Sequence, residues 1–428
     1  MPTYGLHWPG KAEAAALADV TPEYSLDLLE QHGDGTSSHT LAMGDNLPVL
    51  QHWQHSHAGH FRMIYIDPPY NTGNPNFVYT DRFGGEVTEG ATLNLQRSAQ
   101  RHTEWLSMIY PRLILARRLL RDDGAIFISI DDAELYHLRI LMDEVFGEEN
   151  FVANMIRRNK TGSGHDSSHI AVEYDYVLVY AKRANLLKLH PEIVDTESDP
   201  KYRHSDNHVA ERGRYYLRDL DYKGTYSESG DYPITAPDGT QLYPGGKHGK
   251  PNTWRWSPQK VAWGMEHDYI VFKQRPKGWK VYIKQYQYVD NKAQPRQRTL
   301  PHRGLMTYLN AAGSKEVREL MGGTYFSFPK STELLMHLIG MVCDPDDAVL
   351  DFFAGSGTTA HAVMRLNAER DMALQSYSVQ QPEPFPANAA ARRAGYEHIA
   401  ELTLSRILKA KEQLDLQESV AVYRLTEA

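Results

Sequence analysis

Two short stretches of the sequence bring together side chains that could do chemistry, and the first is "DPPYNTG" at residues 67–73. It follows the apolar run 61–66 and sets a carboxylate, two prolines and an aromatic ring side by side. Prolines restrict the backbone and carry no N–H, so this corner offers fixed acceptors from backbone carbonyls and from Asp67. Tyr70 adds a ring on which a ligand can stack. The pattern indicates either a site for a substrate that donates N–H groups or a tight proline turn.

The second stretch is "DFFAGSGTT" at residues 351–359, which predicts the end of a strand, a Gly-x-Gly turn and the start of a helix. Glycines let the backbone approach a ligand closely, and the amides of a helix N-terminus favour a carboxylate or a phosphate. The pattern also fits nicotinamide-dinucleotide proteins, in which an acid ends the next strand to hold a ribose. Gln380 takes that position, with Glu383 beyond it, so this stretch alone leaves the cofactor open.

The residues around both stretches predict alternating strands and helices. Short apolar runs with β-branched members indicate buried strands, and apolar residues at helical spacing indicate helices. In chain order we expect a strand at 61–66, a helix at 105–120 that Pro111 starts or kinks, a strand at 122–131, a helix at 133–147 and a strand ending at Lys182. Further along we expect a helix at 331–343, a strand at 348–353 and a helix at 358–370. This alternation predicts an α/β fold with a parallel sheet.

Between these two α/β segments the composition changes. From about residue 184 to residue 303 the chain is rich in Tyr, Gly, Pro and Arg, contains hairpin-like pieces such as "APDGTQLY", and has no long helical period. We interpret this segment as an inserted domain. The predicted organisation is an N-terminal extension at 1–39, two parts of one α/β domain at 40–183 and 304–428, and the inserted domain at 184–303.

The 428-residue chain has a net charge of −8, so affinity for nucleic acid must come from a local patch. One candidate is the stretch 269–303, where cations alternate with aromatic rings that could stack on bases; the other interpretation is a solvated strand face. Its basic residues are Lys273, Arg275, Lys277, Lys280, Lys284, Lys292, Arg296, Arg298 and Arg303. A single cysteine, Cys343, excludes disulfides and a cysteine-based zinc site. Without a membrane-length apolar run or a signal-peptide pattern, we expect a soluble, cytoplasmic protein.

With "DPPY" after a strand and a downstream Phe-x-Gly-x-Gly formed by Phe353, Gly355 and Gly357, the sequence resembles the amino-methyltransferases of DNA. These enzymes move a methyl group from S-adenosylmethionine to an exocyclic amine of a base. The order of the parts, with the DPPY motif first, the glycine motif last and a basic insert between them, resembles the β class. Further stretches are similar to modification subunits of Type III restriction systems: "GDNLPVL", "GAIFISIDDAE", "FGEENF", "TWRWS" and "FPKSTELL".

The resemblance implies a Rossmann-like S-adenosylmethionine-dependent methyltransferase fold: a mostly parallel, doubly wound sheet with permuted motif order and an inserted target-recognition domain. It also implies methylation of the N6 amine of adenine in double-stranded DNA, with the base turned out of the duplex. Asp67 and the Pro68 carbonyl would accept the amine hydrogens, Pro69 would keep the corner rigid, and Tyr70 would stack on the base. The implied cofactor contacts are Asp45 at the adenine, Gln380 at the ribose, Asp351 at the ammonium, Lys330 at the carboxylate, and Phe353, Gly355, Gly357, Thr358 and Thr359 at the methionine end.

Several alternatives stay open at this point. Cytosine N4 methylation uses the same fold, usually with Ser in place of Asp67, whereas protein-glutamine methyltransferases more often carry Asn there and lack the large insert. A dinucleotide oxidoreductase would need an acid near Gln380, and a non-catalytic DNA-binding subunit of a restriction-modification system would tolerate loss of Asp67 or Tyr70. Relatives are often homodimers, and a restriction subunit is a candidate partner, although this chain is shorter than typical Type III subunits.

Two further segments carry weaker signals. Residues 71–102, which begin with a run rich in Gly, Asn and Thr, are interpreted either as a flap over the site or as a disordered surface loop. The cluster "GHDSSH", which contains His165 and His169, has no third spaced ligand. For that cluster we expect a polar loop and no metal site.

Overall fold

The computed structural model describes residues 5–21, 23–34, 37–72, 91–162, 170–246, 248 and 252–427, with the side chains of all of these except 37 and 91–98. The chain forms two compact units. The first unit combines Met1–His190 with Arg303–Ala428, and the second unit is Pro191–His302. Among the described residues, no helix is long and apolar enough to cross a membrane.

Strands and helices alternate through most of the first unit, and short strands dominate the second. The strands are β1 (Tyr24–His32), β2 (Ser37–Met43), β3 (Phe61–Ile66), β4 (Leu120–Ile130), β5 (Phe151–Arg158), β6 (Tyr174–Ala181), β7 (Glu192–Ile193), β8 (Tyr215–Asp219), β9 (Asp221–Tyr222), β10 (Ile234–Thr235), β11 (Gln241–Leu242), β12 (Thr253–Trp254), β13 (Ile270–Arg275), β14 (Gly278–Tyr286), β15 (Thr299–Leu300), β16 (Leu305–Thr307), β17 (Ala348–Asp351), β18 (Gln375–Gln380) and β19 (Ser419–Glu427). The α-helices are α1 (Lys11–Ala16), α2 (Asn46–Ser56), α3 (Ala91–Leu119), α4 (Leu135–Phe146), α5 (Val209–Arg212), α6 (Pro258–Glu266), α7 (Asn310–Met321), α8 (Thr332–Gly340), α9 (Thr358–Arg370), α10 (Ala390–Arg393) and α11 (Ile399–Gln413).

The first unit is built on a ten-stranded sheet in the order β1-β19-β2-β18-β17-β3-β4-β6-β5-β16. The strands run parallel to their neighbours except for β1 and β6, which are antiparallel. All residues of β3 are buried, as expected for a parallel strand that is covered on both faces. The mostly parallel fold that the sequence implies is therefore confirmed.

Alternate side chains of β3 pack on opposite faces of this sheet. Ile64 and Ile66 join a hydrophobic cluster with residues of α2, α3 and α4, whereas Met63 belongs to a second cluster with residues of α8 and α9. Successive residues of a strand point to opposite faces, so a strand that is apolar throughout requires helices on both sides. This packing makes the sheet doubly wound.

The direction of winding reverses between β3 and β17, which are parallel neighbours. From β3 the chain passes through α3 to β4 on one side, and from β17 it passes through α9 to β18 on the other side. Such a topological switch point opens a crevice at the carboxyl ends of the two strands. The DPPY motif follows β3 and the glycine turn follows β17, so the fold brings both motifs to this crevice.

Some elements differ from the prediction made from the sequence. Helix α3 begins at Ala91, so the later part of the interpreted flap, residues 91–102, is helical and Pro111 lies inside the helix. The chain has no glycine from Ala91 to Asp123 and is rich in Ala, Leu, Gln and Arg, which explains this longer helix. Residues 73–90 of the interpreted flap and the cluster 165–169 lie outside the described residues.

Two strands of the sheet, β6 and β1, depart from the predicted parallel arrangement because they run antiparallel to their neighbours. Strand β6 lies between β4 and β5 and runs antiparallel to both, so the alternation of strands and helices overstates how uniformly parallel the sheet is. The predicted N-terminal extension, 1–39, supplies β1, which pairs with β19 at one edge.

The second unit has a separate hydrophobic core. An antiparallel sheet of β13, β14 and β8 packs with Trp254 of β12 and with Trp256, which follows that strand. The hairpin-like "APDGTQLY" lies where β10 and β11 pair antiparallel, and the Ala236 amide donates to the Thr240 carbonyl at 2.9 Å. The turn-rich composition of this segment thus corresponds to short antiparallel strands.

The basic stretch 269–303 is partly structural rather than wholly exposed. Lys284 is buried, and its ammonium donates to Asp206 at 2.6 Å. Arg298 donates to a backbone carbonyl of β14 at 2.9 Å. Arg296, by contrast, is exposed. Only part of the predicted patch can therefore meet a phosphate.

Candidate active site

Asp67, Tyr70 and Lys330 form a hydrogen-bonded triangle at the carboxyl end of β3. The Tyr70 hydroxyl donates to Oδ1 of Asp67 at 2.7 Å, and the Lys330 ammonium donates to Oδ2 at 2.5 Å. Lys330 also donates to the Tyr70 hydroxyl oxygen at 3.0 Å. Because each carboxylate oxygen keeps lone pairs beyond the one used, Asp67 is oriented by its neighbours and can still accept further hydrogen bonds.

A buried tryptophan fixes the two prolines behind this triangle. The indole Nε1 of Trp105 donates to the Pro69 carbonyl at 2.7 Å, and the Trp105 side chain is fully buried. Within the described part of the chain, no donor reaches the carbonyl oxygen of Pro68. Of the two proline carbonyls, the Pro68 carbonyl is thus the one that can receive a hydrogen bond from a ligand.

Asn71 ends the loop in a left-handed conformation, with a φ of 61°, and is wholly buried. Its side-chain amide donates to Glu134, which is also fully buried. The Nδ1 atoms of His102 and His137 lie 2.6 and 2.8 Å from the two oxygens of Glu134. Side chains of these types can hold a metal ion, and their ligand atoms lie within 4.8 Å of one another. Because Asn71, His102 and His137 all bond to Glu134, we interpret this cluster as the support that holds Asn71.

Asp351 occupies the bottom of the glycine turn at the end of β17. Its carboxyl accepts hydrogen bonds from the Thr359 hydroxyl and from the Phe353 amide, the latter at 3.0 Å. The pKa of Asp351 is raised to about 7, mainly by burial; the two hydrogen bonds oppose this rise and the nearby charge of Asp67 adds to it. Asp351 is therefore a buried acid that changes charge near neutral pH.

The glycine turn itself requires left-handed backbone at two positions. Gly355 has a φ of 54° and Gly357 a φ of 80°. A Cβ on Gly357 would meet the Thr403 carbonyl of α11 at 3.2 Å, so Gly357 allows close packing against α11. The amide of Gly355 donates to the side-chain oxygen of Gln380 at 2.7 Å, which ties the turn to the end of β18.

The first of two cavities in the crevice has a volume of about 450 Å³. The two motifs and nearby segments line it, and a volume of this size suits a small-molecule cofactor. Of the residues predicted from the sequence, the lining includes Asp67, Pro69, Lys330, Asp351, Phe353, Gly355, Thr358, Thr359 and Gln380.

The second cavity, of about 460 Å³, opens on the other side of Asp67. Its wall includes Tyr70, Tyr174 and a buried ion pair between Arg157 and Asp175, in which Arg157 Nε donates to Oδ1 at 2.7 Å. The residues that line both cavities are Asp67, Phe328 and Lys330. The two cavities therefore share a wall that includes Asp67.

Two residues predicted to contact the cofactor lie outside the lining of the first cavity. Asp45 is the N-cap of α2, where it accepts from the Leu47 amide at 3.1 Å and pairs with Arg112 at 2.8 Å. The following residue, Asn46, lines the cavity instead, because the α2 start directs it inward to the Phe352 carbonyl at 2.6 Å. Gly357 is the other, since it faces α11.

Other lining residues were not singled out in the sequence. Arg112 and Phe326 reach the first cavity from α3 and from the loop before α8, and only the tertiary fold brings them there. Ser356 lies within the glycine motif itself, between Gly355 and Gly357. Lys330 was expected at the cofactor carboxylate, but its ammonium is bound to Asp67.

The fold and the paired cavities define a doubly wound α/β protein with two adjoining cavities at its switch point. The DNA methylase family model N6_N4_Mtase matches residues 61–379. The Mod subunit of the Type III restriction-modification enzyme StyLTI of Salmonella typhimurium is 36% identical over 418 residues, which cover 94% of this chain and 61% of that subunit. The EcoP15I Mod subunit of Escherichia coli is 31% identical over 99% of this chain and 71% of its own length. The Type II methyltransferase M.KpnI of Klebsiella pneumoniae is 32% identical over 90% of this chain and 91% of its own length.

This chain belongs to the DNA methylase family, and the resemblance inferred from the DPPY and glycine motifs is confirmed. The matched region begins at β3 and ends in β18, so it contains both motifs and the strands of the switch point. The chain spans about three fifths of the StyLTI Mod subunit's length.

Proposed function

We propose that this protein is a DNA methyltransferase that moves a methyl group from S-adenosylmethionine to the N6 amine of adenine in duplex DNA. The observation that carries the proposal is the meeting of two cavities at Asp67. A transfer reaction requires donor and acceptor to be held in contact, and a shared wall at one carboxylate provides that arrangement. Membership of the DNA methylase family supports the same reaction.

The residues of the first cavity fit the proposed cofactor. When bound, S-adenosylmethionine supplies an electrophilic methyl group on a positively charged sulfur. Asp351 is a buried carboxyl that can pair with the ammonium of the methionine moiety. Gly355 has no side chain and a φ of 54°, so a ligand can approach its backbone closely. Gln380 and Phe353 complete the wall for the remaining parts of the molecule.

The DPPY loop suits activation of an amine. The exocyclic amine of adenine is a poor nucleophile, because its lone pair is delocalised into the ring. Acceptance of its two hydrogens by the Asp67 carboxylate and the Pro68 carbonyl favours a tetrahedral nitrogen, whose lone pair can then attack the methyl group. Lys330 and Tyr70 hold the carboxylate in one orientation, so the acceptors are set before the base arrives.

The second cavity is the proposed place for the target base. The amine of adenine lies inside the duplex, so the base must be turned out to reach Asp67. Tyr70 and Tyr174 give this cavity aromatic walls on which a base can stack. In this assignment the target enters from the side of Tyr70 while the cofactor lies on the side of Asp351.

The second unit, Pro191–His302, is the proposed target-recognition domain. The support is the resemblance in motif order and the exposed cations, such as Arg296, on an otherwise acidic chain. A homodimer and a restriction subunit as partner are also proposals. The homodimer rests on the resemblance to the β class, and the restriction subunit rests on the names of relatives such as the StyLTI and EcoP15I Mod subunits, of whose lengths the chain covers 61% and 71%.

Analysis of the reaction product tests the proposal and the choice of base together. The protein would be incubated with S-adenosylmethionine and unmethylated genomic DNA, and the digested nucleosides would be identified by mass spectrometry. We expect N6-methyladenine, because Asp67 stands where cytosine N4 enzymes usually carry Ser. Appearance of N4-methylcytosine would replace the base assignment and keep the methyl transfer.

Asp67→Ala is the matched control for that experiment. It removes one of the two acceptors, so transfer should fall by at least about 100-fold. Affinity for the cofactor should change little, because Asp351 and the glycine turn remain. Undiminished methylation by the variant would contradict the proposed role of Asp67, and a wild-type protein that binds the cofactor yet methylates no DNA would contradict the function.

A further inference from the structure

A buried cation lies directly behind the glycine turn. Arg406 of α11 is 1% exposed. Its ion-pair partner Glu316 is 3.6 Å away and also accepts the Thr332 amide at 2.9 Å. Burial lowers the pKa of Arg406 to about 10, so the guanidinium still carries its charge at neutral pH. Burying a cation whose counter-charge is this far away costs free energy of folding, so we expect Arg406 to have a functional role.

The shortest hydrogen bonds of Arg406 lead to the turn. Its Nη1 donates to the hydroxyl oxygens of Ser356 and Thr358, both at 2.8 Å. Its Nη2 lies 3.5 Å from Nδ1 of His361, whose pKa burial lowers to about 3, so that this ring is neutral. Its Nε has no partner among the described residues. The charge is therefore directed mainly at the two hydroxyls.

Both residues line the first cavity. An oxygen that accepts from a guanidinium still has its own hydrogen to donate, and the neighbouring charge strengthens that donor. The other described bonds of these hydroxyls are long: 3.3 Å between Ser356 and Thr358, and 3.4 Å from Thr358 to the Lys330 carbonyl. A ligand oxygen of negative charge would be a better acceptor than either.

The same corner is the start of a helix without a side-chain cap. Helix α9 begins at Thr358, and its N-cap Gly357 makes no capping hydrogen bond. The first amides of a helix lack partners within the helix and carry a partial positive charge. One wall of the cavity therefore combines two strengthened hydroxyl donors with uncapped helix amides and a buried guanidinium behind them.

We propose that Arg406 makes the start of α9 a binding site for the carboxylate of the cofactor's methionine moiety. Arg406 is a positioning residue in this assignment, because it acts through the hydroxyls of Ser356 and Thr358. The inference rests on the proposed function, since it takes the first cavity to be the S-adenosylmethionine site. It also gives the carboxylate a receptor other than Lys330, whose ammonium is bound to Asp67.

Comparing two ligands on one variant tests the assignment. Calorimetry would measure the affinities of S-adenosylhomocysteine and of its decarboxylated analogue for the wild type and for Arg406→Met. Because the loss concerns charge-assisted hydrogen bonds, we expect S-adenosylhomocysteine to weaken by about 10- to 100-fold. The decarboxylated analogue should change by less than about threefold, since its contacts do not involve this wall. Equal losses for both ligands would show that Arg406 only supports the pocket, and would overturn the assignment.

Three further variants keep the test decisive. Arg365→Met removes another arginine of the same region, one that bonds to Thr332 and Glu369 and does not line the cavity, and should leave both affinities unchanged. Arg406→Lys keeps the charge and should restore part of the selective loss. Ser356→Ala should give a smaller selective loss, and these last two variants carry the test if Arg406→Met does not fold. Failure of the proposed function would look different, because then the wild type itself would bind neither ligand.

Discussion

The charge of Asp351 should make cofactor affinity depend on pH in a defined direction. Its pKa is raised to about 7 by burial, so the carboxyl is neutral below that pH and ionised above it. Only the ionised form can pair with an ammonium. The ionised fraction is about one tenth at pH 6 and about three quarters at pH 7.5, so the affinity for S-adenosylhomocysteine should fall about eightfold between these values.

Calorimetry checks this expectation in two ways. The dissociation constant should rise as pH falls from 7.5 to 6, and binding at pH 6.5 should release about three quarters of a proton, measured from the heats in buffers of different ionisation enthalpy. Methylthioadenosine lacks the ammonium and should show neither effect. Asp351→Asn should bind S-adenosylhomocysteine weakly, without dependence on pH. A wild-type affinity that stays constant from pH 6 to 7.5 would refute the reasoning.

Substitutions of the two neighbouring charged residues should move the midpoint of this pH dependence in opposite directions. The negative charge of Asp67 raises the pKa of Asp351 and the positive charge of Lys330 lowers it. Asp67→Asn should therefore shift the loss of affinity to lower pH, and Lys330→Met should shift it to higher pH. Shifts in the same direction would mean that the substitutions act by disturbing the fold. The raised pKa also implies that the free energy of unfolding falls as pH rises from about 4 to 7, and Asp351→Asn should remove that fall.

Three other predictions concern the turn, the second unit and the basic stretch. Gly355→Val should abolish cofactor binding by filling the cavity, whereas Gly357→Val should mainly lower the melting temperature, because a Cβ there meets α11. Calorimetry measures the first effect and thermal melts measure the second. Equal effects of the two variants in both measurements would contradict the assignment. Exchange of Pro191–His302 for the matching segment of a relative should move methylation to the relative's site, read by sequencing of modified bases, and an unchanged site would count against target recognition by this unit. Arg296→Ala should lower the slope of log affinity against log salt by about one unit on specific and random duplexes alike, while an unchanged slope would leave Arg296 as a solvated side chain.

The sequence was sufficient to predict the parts of the fold that depend on local pattern. Strand β3 and helix α9 have the predicted bounds, because an apolar run stopped by Asp67 and two prolines, and a helix started after Gly357, are signals carried by adjacent residues. The meeting of the two motifs, which the structure shows, follows from the same patterns, since parallel strands place their carboxyl ends at one edge of a sheet.

The parts that could not be predicted depend on contacts between distant segments. Nothing near Arg406 in the chain indicates that its guanidinium reaches Ser356, 50 residues earlier. Lys330 illustrates the same limit: the resemblance implied a cofactor contact, and Lys330 does line the first cavity, but nothing in the sequence indicates its ion pair with Asp67, 263 residues away. The contact predicted for Asp45 stays a prediction: Asp45 caps α2 and directs its side chain to the helix amides, while the next position in the chain lines the first cavity.

The two carboxylates of the crevice differ in exposure and in their partners. Asp67 is partly exposed and has a lysine and a hydroxyl as partners, so its charge is balanced and its oxygens remain acceptors. Asp351 is buried, has no cation in direct contact among the described residues, and ionises fully only near or above neutral pH. An ammonium in the first cavity supplies the missing counter-charge, so the occupied cofactor site would hold two ionised carboxylates, each with its own cation. Lys330 pairs directly with Asp67, whereas its charge only lowers the pKa of Asp351 without a direct contact, so the two carboxylates have different partners within one crevice.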